Sequence, residues 1–127
     1  AYVDAIPGLK ELLEAVHKAS ERGFLYGLDN RRILVDSRHK SLNYLIQGSS
    51  ATVAKRWLVL TADKLRDIKH ERYAFVHDEQ VLGSPPSSSE DVAFACKLAA
   101  LEAGEYYKIR LPIEADANIG NNWAEVH

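Results

Sequence analysis

Apolar positions recur along this chain with two alternating periods, about 3.6 and about 2 residues, and each change of period marks an element boundary. Pro7 opens a helical pattern in which Leu9, Leu12, Leu13 and Val16 share one face, and Gly23 closes it. Phe24–Tyr26 and Arg32–Val35 then read as two short strands. Between them Leu28-Asp29-Asn30 is a turn, because Asp and Asn tolerate left-handed backbone and bond their own main chain. A long helix follows from about Ser37 to about Asp67. Tyr73–Val76 and Gln80–Leu82 form the arms of a β-hairpin with His77-Asp78-Glu79 at its tip. Gly83–Ser89, rich in Ser and Pro, is a loop, and Ser87 with Glu90 makes a capping box for a helix ending near Gly104. Ile109–Ile113 reads as a last strand, at a sheet edge because Pro112 has no N–H to donate; Gly120–His127 shows no clear period. The pattern predicts an α+β fold: an antiparallel sheet with the 73–82 hairpin at its centre, packed by one long helix and two shorter ones.

The long helix carries two stripes of different kind. Leu42, Leu45, Ile46, Val53, Trp57 and Leu60 form an apolar one, the side that packs on a core. Asn43, Gln47, Ser50 and Ala54 form a second, polar or small throughout, with Gly48 and Ala51 beside it. An unengaged surface helix carries long charged side chains at such positions. Two amides among small residues fit a large polar body lying close against the helix, and packing against a neighbouring helix fits the same spacing.

At 127 residues the chain holds one compact domain, 1–127, with a real core. Its 46% hydrophobic and 27% charged residues exclude disordered and collagen-like classes. No apolar run approaches the roughly 20 residues that span a bilayer, so no membrane partner is expected. The single cysteine, Cys96, can form neither an internal disulfide nor a thiolate metal cluster, and a reducing cytoplasm is the simplest setting. The chain has no methionine and begins at Ala1, which is expected of a piece of something longer. Charge is the composition's most telling feature. The net charge is only −2, yet residues 31–72 hold ten Lys/Arg against four Asp/Glu, and residues 73–127 hold three against nine. A basic stripe beside an acidic region suits a protein that grips phosphates in one place and cations in another; a solvated basic helix would give the same count.

The hairpin tip is where that acidic region could do chemistry. Nucleotidyl transfer asks little covalent chemistry of a protein and much placing of hard cations on the attacking and leaving oxygens. Magnesium takes oxygen ligands and keeps several waters, so one or two fixed carboxylates suffice, and a tight hairpin mounts them rigidly. By itself a His-Asp-Glu tip is also an ordinary acidic turn.

Four spaced segments, in order, decide between these readings. Tyr73-Ala-Phe-Val-His-Asp-Glu-Gln-Val81 resembles the motif by which family A (DNA polymerase I family) DNA polymerases place a catalytic aspartate between two palm strands. Leu42-Asn43-Tyr-Leu-Ile-Gln47-Gly48-Ser49, with Ala51 and the Lys55-Arg56 pair, resembles the long palm helix of the same family. Gly120-Asn-Asn122-Trp123 with His127 resembles its Gly-x-Asn-Trp-x-x-x-His ending, and Asp29-Asn30-Arg31-Arg32 its hairpin before the long helix, with Asn30 where glycine is usual. His39 stands where cellular members usually carry arginine, as in bacteriophage relatives.

The resemblance implies a palm-type antiparallel sheet and template-directed DNA synthesis. It implies Asp78 as metal ligand and catalytic group, Glu79 as accessory, and His77 beside the primer terminus. It further implies two Mg2+ ions in the complete enzyme, and a primer-template duplex and dNTPs as partners. Asn43 and Gln47 are implied to face the minor groove, where every Watson–Crick pair presents acceptors. Arg32, His39, Lys55 and His127 are implied to contact DNA. The motif carrying the family's other metal-binding aspartate and the fingers helix is absent from the sequence. The expected partner is therefore the missing N-terminal polymerase portion, in cis or in trans, with the chain inactive alone. A non-catalytic DNA-binding module derived from a palm is the alternative. Two unneutralised carboxylates near phosphates would serve it poorly. Glu79 separates the chain from single-subunit RNA polymerases, where serine typically follows the aspartate.

Overall fold

The structure is a computed structural model describing residues 2–127, and the chain divides into two compact units, Ala1–Thr52 and Val53–His127. Short helix α1 (Tyr2–Ala5) precedes α2 (Leu9–Ser20), whose start is set by Gly8 in left-handed backbone at φ 82°. Val16 is buried beneath α2, while Leu12 stays 47% exposed. The Ser20 hydroxyl donates to the His17 carbonyl at 2.7 Å, and Gly23, at φ 83°, reverses the chain into the first hairpin. Strands β1 (Phe24–Tyr26) and β2 (Arg32–Leu34) pair antiparallel, Phe24 opposite Leu34, Leu25 opposite Ile33 and Tyr26 opposite Arg32. Asn30 takes up the expected left-handed backbone at φ 61°, and Asp29 pairs with Arg31 across the turn.

A 3-10 turn at Arg38–Lys40 leads into α3 (Ser41–Lys64), so the α-helix proper is shorter at both ends than the 37–67 span its periodicity predicts. Its most deeply buried positions are hydroxyls: Ser41, Thr52 and Thr61, at 0, 5 and 0% exposure. Each has a hydrogen bond: Ser41 Oγ donates to the Arg38 carbonyl, Thr52 Oγ1 to the Gly48 carbonyl, and Thr61 Oγ1 accepts from Gln80. Short, bonded side chains can be buried in this way without leaving a polar atom unpaired. The predicted apolar stripe is half-buried except at Ile46, which is 54% exposed.

In the second unit, β3 (Glu71–Val76) and β4 (Glu79–Gly83) form the second antiparallel hairpin. The predicted α+β class is present, its strands divided between two two-stranded sheets. Leu65, Val92, Ala95 and Cys96 make the core of this unit, with Ile68 and Leu82 against them. Helix α4 (Ser89–Tyr106) buries a face of small residues, Ala95, Ala99, Ala100, Ala103 and Gly104, which lets neighbouring chain approach closely. The Trp57 indole N–H donates to the Cys96 carbonyl at 2.8 Å, and Lys64 pairs with Glu102 at 2.6 Å. Burial raises the Cys96 thiol pKa, which keeps it an inert core residue.

Three expectations from sequence do not hold. The Ser87–Glu90 capping box is absent: Pro86–Ser88 forms a 3-10 turn, α4 starts at Ser89, and the Ser88 and Ser89 hydroxyls donate to the carbonyls of Pro85 and Pro86. Ile109–Ile113 is not a strand. Lys108, at φ 55°, turns the chain, the Ile109 N–H bonds the Gly104 carbonyl at 3.0 Å, and Ile113 lies over Gly104, so this segment packs back on α4. The aperiodic tail contains a helical turn, α5 (Trp123–Val126). Among the described residues no helix is long and apolar enough to cross a membrane.

Candidate active site and nucleic-acid interface

Pairing in the second hairpin runs to Val76 opposite Glu79, leaving a two-residue loop of His77 and Asp78. Such a loop needs left-handed backbone, and His77 supplies it at φ 54°. The tip is thus one residue tighter than the His-Asp-Glu turn read from sequence, with Glu79 inside β4. Both loop side chains are exposed, and among the described residues the Asp78 carboxylate has no hydrogen bond or ion pair. The inner side of the hairpin is anchored. Phe75 meets Trp57 edge-on at 6.3 Å between centroids, and Gln80 Nε2 donates to Thr61 Oγ1 at 3.1 Å.

Glu79 has a partner that lies far away in sequence. Its Oε1 is 2.8 Å from His127 Nε2, while His127 Nδ1 faces the Trp123 carbonyl at 3.2 Å. The imidazole stacks on the Trp123 indole, centroids 3.9 Å apart at 15°. The Glu79 hydrogen bond is the main cause of a His127 pKa raised above 6.5. Helix α5 holds this histidine in place. Asn122 Oδ1 caps the Ala124 N–H at 3.1 Å, and Glu125 reaches back to the Asn121 N–H at 2.8 Å and to the Asn122 side chain at 2.7 Å. The backbone N–H of Asn121 is the main contributor holding the Glu125 carboxyl below its usual range. Sequence reasoning missed this helix, although Asn122 followed three residues later by Glu125 is a capping-box spacing.

The tip offers hard, anionic oxygens, and Asp78 in particular is open to solvent and unpaired, which fits a magnesium ligand that leaves room for waters and phosphates. Among the described residues no group of three or more His, Cys, Asp or Glu side chains converges on one point. Asp78 and Glu79 could by themselves supply only part of such a ligand set.

A sequence profile described as DNA polymerase family A matches residues 1–125. The chain belongs to that family. Among family A relatives, the DNA-directed DNA polymerases of Escherichia phage T7 and Enterobacteria phage T3 are 31% and 30% identical over 84% of the chain. The thermostable DNA polymerase I of Thermus caldophilus is 27% identical over 96%. The chain spans 16% of the length of each of these three polymerases. A solved structure, the POL domain of Pol1 from M. smegmatis in complex with DNA primer-template and dNTP, superposes with a TM-score of 0.78 at 22% identity. It covers 89% of this chain and 22% of that one, a likeness of fold.

The other residues carried over from family A lie as follows. On α3, Asn43, Gln47 and Ser50 are all exposed on one face. Gly48 is different: a Cβ there would meet Ile33 Cδ1 at 2.7 Å, so its smallness serves the packing of β2 on the helix rather than an approaching ligand. Lys55 is exposed, and so is His39, whose Nδ1 bonds Ser37 Oγ at 2.9 Å. Arg32 is exposed on β2 and stacks over the Phe24 ring at 4.9 Å. Of the predicted catalytic and binding set, the structure brings Glu79 and His127 into contact at the hairpin.

Proposed function

We propose that this chain is part of the catalytic palm of a template-directed DNA polymerase of bacteriophage type, adding dNTPs to a primer 3′ end. One observation carries this reading: in a family A chain, the motif aspartate sits unpaired at the tip of a two-residue hairpin whose base is locked onto α3 and α4. The identities of 31% and 30% to the T7 and T3 polymerases support the phage assignment. Asp78 holds divalent metal, Glu79 assists beside it, and His77 flanks the primer terminus. When bound, Mg2+ supplies charge stabilisation for the transferring phosphoryl group. Asn43 and Gln47, exposed on α3, donate to minor-groove acceptors and so sense pair geometry rather than sequence. Arg32, His39 and Lys55 contact backbone phosphates.

The decisive experiment is primer extension by the longer polymerase that contains this segment. Asp78→Asn removes one anionic oxygen from the metal site. With metal stabilisation worth several kcal/mol, a loss of about 4 kcal/mol lowers incorporation about 10³-fold, with duplex binding retained. Glu79→Gln has a much smaller effect. The 127-residue chain alone is expected to incorporate no nucleotide. An Asp78→Asn enzyme that extends primers at the parental rate refutes the assignment and leaves a DNA-binding module as the reading.

A further inference from the structure

The β1–β2 hairpin has two unlike faces. Residues directly opposite in an antiparallel pair share a face, and alternate residues along a strand do so too. Leu25 and Ile33 therefore point one way: Leu25 is 4% exposed, and Ile33 packs on Gly48. Phe24, Tyr26, Arg32 and Leu34 point the other way, with Tyr26 at 46% and Leu34 at 81% exposure. Arg22 arches over this face from the residue before Gly23. Its guanidinium lies 4.7 Å from the Phe24 ring centroid and 4.9 Å from that of Tyr26. Arg32 stacks on Phe24 at 4.9 Å, and the two rings meet edge-on at 5.4 Å. Arg31, by contrast, is neutralised by Asp29.

The chemistry of this arrangement is specific. An outward sheet face of two aromatic rings and an exposed leucine would ordinarily be avoided on a soluble surface. Here two guanidiniums lie over the rings. Arg22 Nε donates to the Phe24 carbonyl at 3.1 Å, which fixes its plane. Among the described residues neither Arg22 nor Arg32 has a carboxylate partner. Held in this way, their remaining N–H groups are available to phosphate oxygens, while the exposed ring and guanidinium planes accept stacked bases. Paired bases within a duplex are already stacked on one another and cannot use those planes; unpaired bases can.

We propose that the outer face of the β1–β2 hairpin is a stacking platform for single-stranded nucleic acid, with Tyr26 as the base-facing ring, Phe24 as the ring that seats the arginines, and Arg22 and Arg32 as phosphate contacts. This deepens the polymerase reading and rests on it for the nature of the partner. It adds a surface that takes an unpaired strand, distinct from the duplex-facing stripe of α3.

The test is fluorescence anisotropy of the 127-residue chain with an oligothymidylate of about 16 nucleotides, at the upper end of single-strand site sizes, and with a blunt duplex of the same length. Tyr26→Ala should weaken oligothymidylate binding by about 5- to 150-fold, as expected for one lost stacking aromatic, and duplex binding by less than about twofold. Arg22→Gln with Arg32→Gln should lower the steepness of the salt dependence on the single strand by about 1.4, two phosphate contacts at about 0.7 each. Should circular dichroism show Tyr26→Ala to be unfolded, the two exposed arginine substitutions decide alone. Oligothymidylate affinity and salt slope unchanged in every folded variant overturn the platform, as does an equal loss on single strand and duplex in Tyr26→Ala, which would make this face a general DNA contact. The arginine variants are judged on the single strand alone, because Arg32 is also assigned to backbone phosphates. Failure of the polymerase reading registers separately, in primer extension by Asp78→Asn.

Discussion

His127 is addressed from both ring nitrogens, by the Trp123 carbonyl and by the Glu79 carboxylate. Two acceptors are satisfied together only by the imidazolium, which donates from both. The pKa is raised above 6.5 chiefly by the Glu79 hydrogen bond. A group whose pKa is higher in the folded than in the unfolded state stabilises fully below the unfolded value and loses that contribution as pH rises through the folded one. The Glu79–His127 contact should thus be complete below about pH 6.5 and fade above it. Following the His127 ring protons by NMR against pH checks this: Glu79→Gln should bring the midpoint down toward the ordinary value. Identical titration curves for the two proteins would mean that no such pair forms in solution. Asp78 and Glu79 could be picked out from sequence because they sit in one short motif. The link of Glu79 to His127 could not, since 48 residues separate the partners and no local pattern encodes the contact.

At the scale of elements, α4 depends on having no side chain at Gly104. A Cβ there would lie 2.7 Å from Ile113 Cγ1, 3.2 Å from its Cβ and 3.5 Å from its backbone nitrogen. The last two atoms cannot swing aside. Replacing glycine by alanine inside a helix gains about 1 kcal/mol in propensity, while overpacking costs about 1–3 kcal/mol. Gly104→Ala should therefore destabilise the chain by up to about 2 kcal/mol, read from the urea midpoint at unchanged slope. A higher midpoint would show that Ile113 yields. The same contact explains why the 109–113 strand was misread. Alternation can mark an extended segment, but a strand also needs a partner, and this segment's partner is a helix surface. The helices α2, α3 and α4 are legible because each is long enough to repeat its period, and the hairpins because turn residues separate their short arms. Helix α5, with four residues, is too short to show a period, and only its capping residues carry a signal for it.

Across the whole molecule, large apolar side chains stand in solvent at many points. Leu34, Leu111, Phe94 and Tyr73 are 81, 74, 68 and 66% exposed, while Leu65 is the largest side chain below 2%. The family was legible from sequence for a reason of scale as well: four weak motifs in collinear order constrain one another as no single motif does. The small-residue stripe on α3 was less transparent. Periodicity cannot tell a glycine that admits a ligand from one that admits Ile33, and Gly48 is of the second kind.

The β3–β4 hairpin carries a bulge in β3, between Arg72 and Ala74, which governs how it tolerates changes of length. Arg72 pairs with Leu82 and Phe75 with Gln80, so two residues on one strand oppose the single Val81 on the other. Arg72 donates to the Leu58 carbonyl, Phe75 meets Trp57 and Gln80 bonds Thr61, so all three reach the same side although Arg72 and Phe75 are an odd number of positions apart. One residue of the long arm is therefore surplus to the alternation. Deleting Tyr73 straightens the strand and keeps every other side chain on its face, at the cost of the ring that covers Gly83. Deleting Val81 instead puts Gln80 and Leu82 on opposite faces and turns Glu79 away from His127. The His127 NMR titration distinguishes the two: a raised midpoint should survive loss of Tyr73 and vanish with loss of Val81. The hairpin can accordingly lose a residue from one arm and not from the other, with Asp78 still facing the same way.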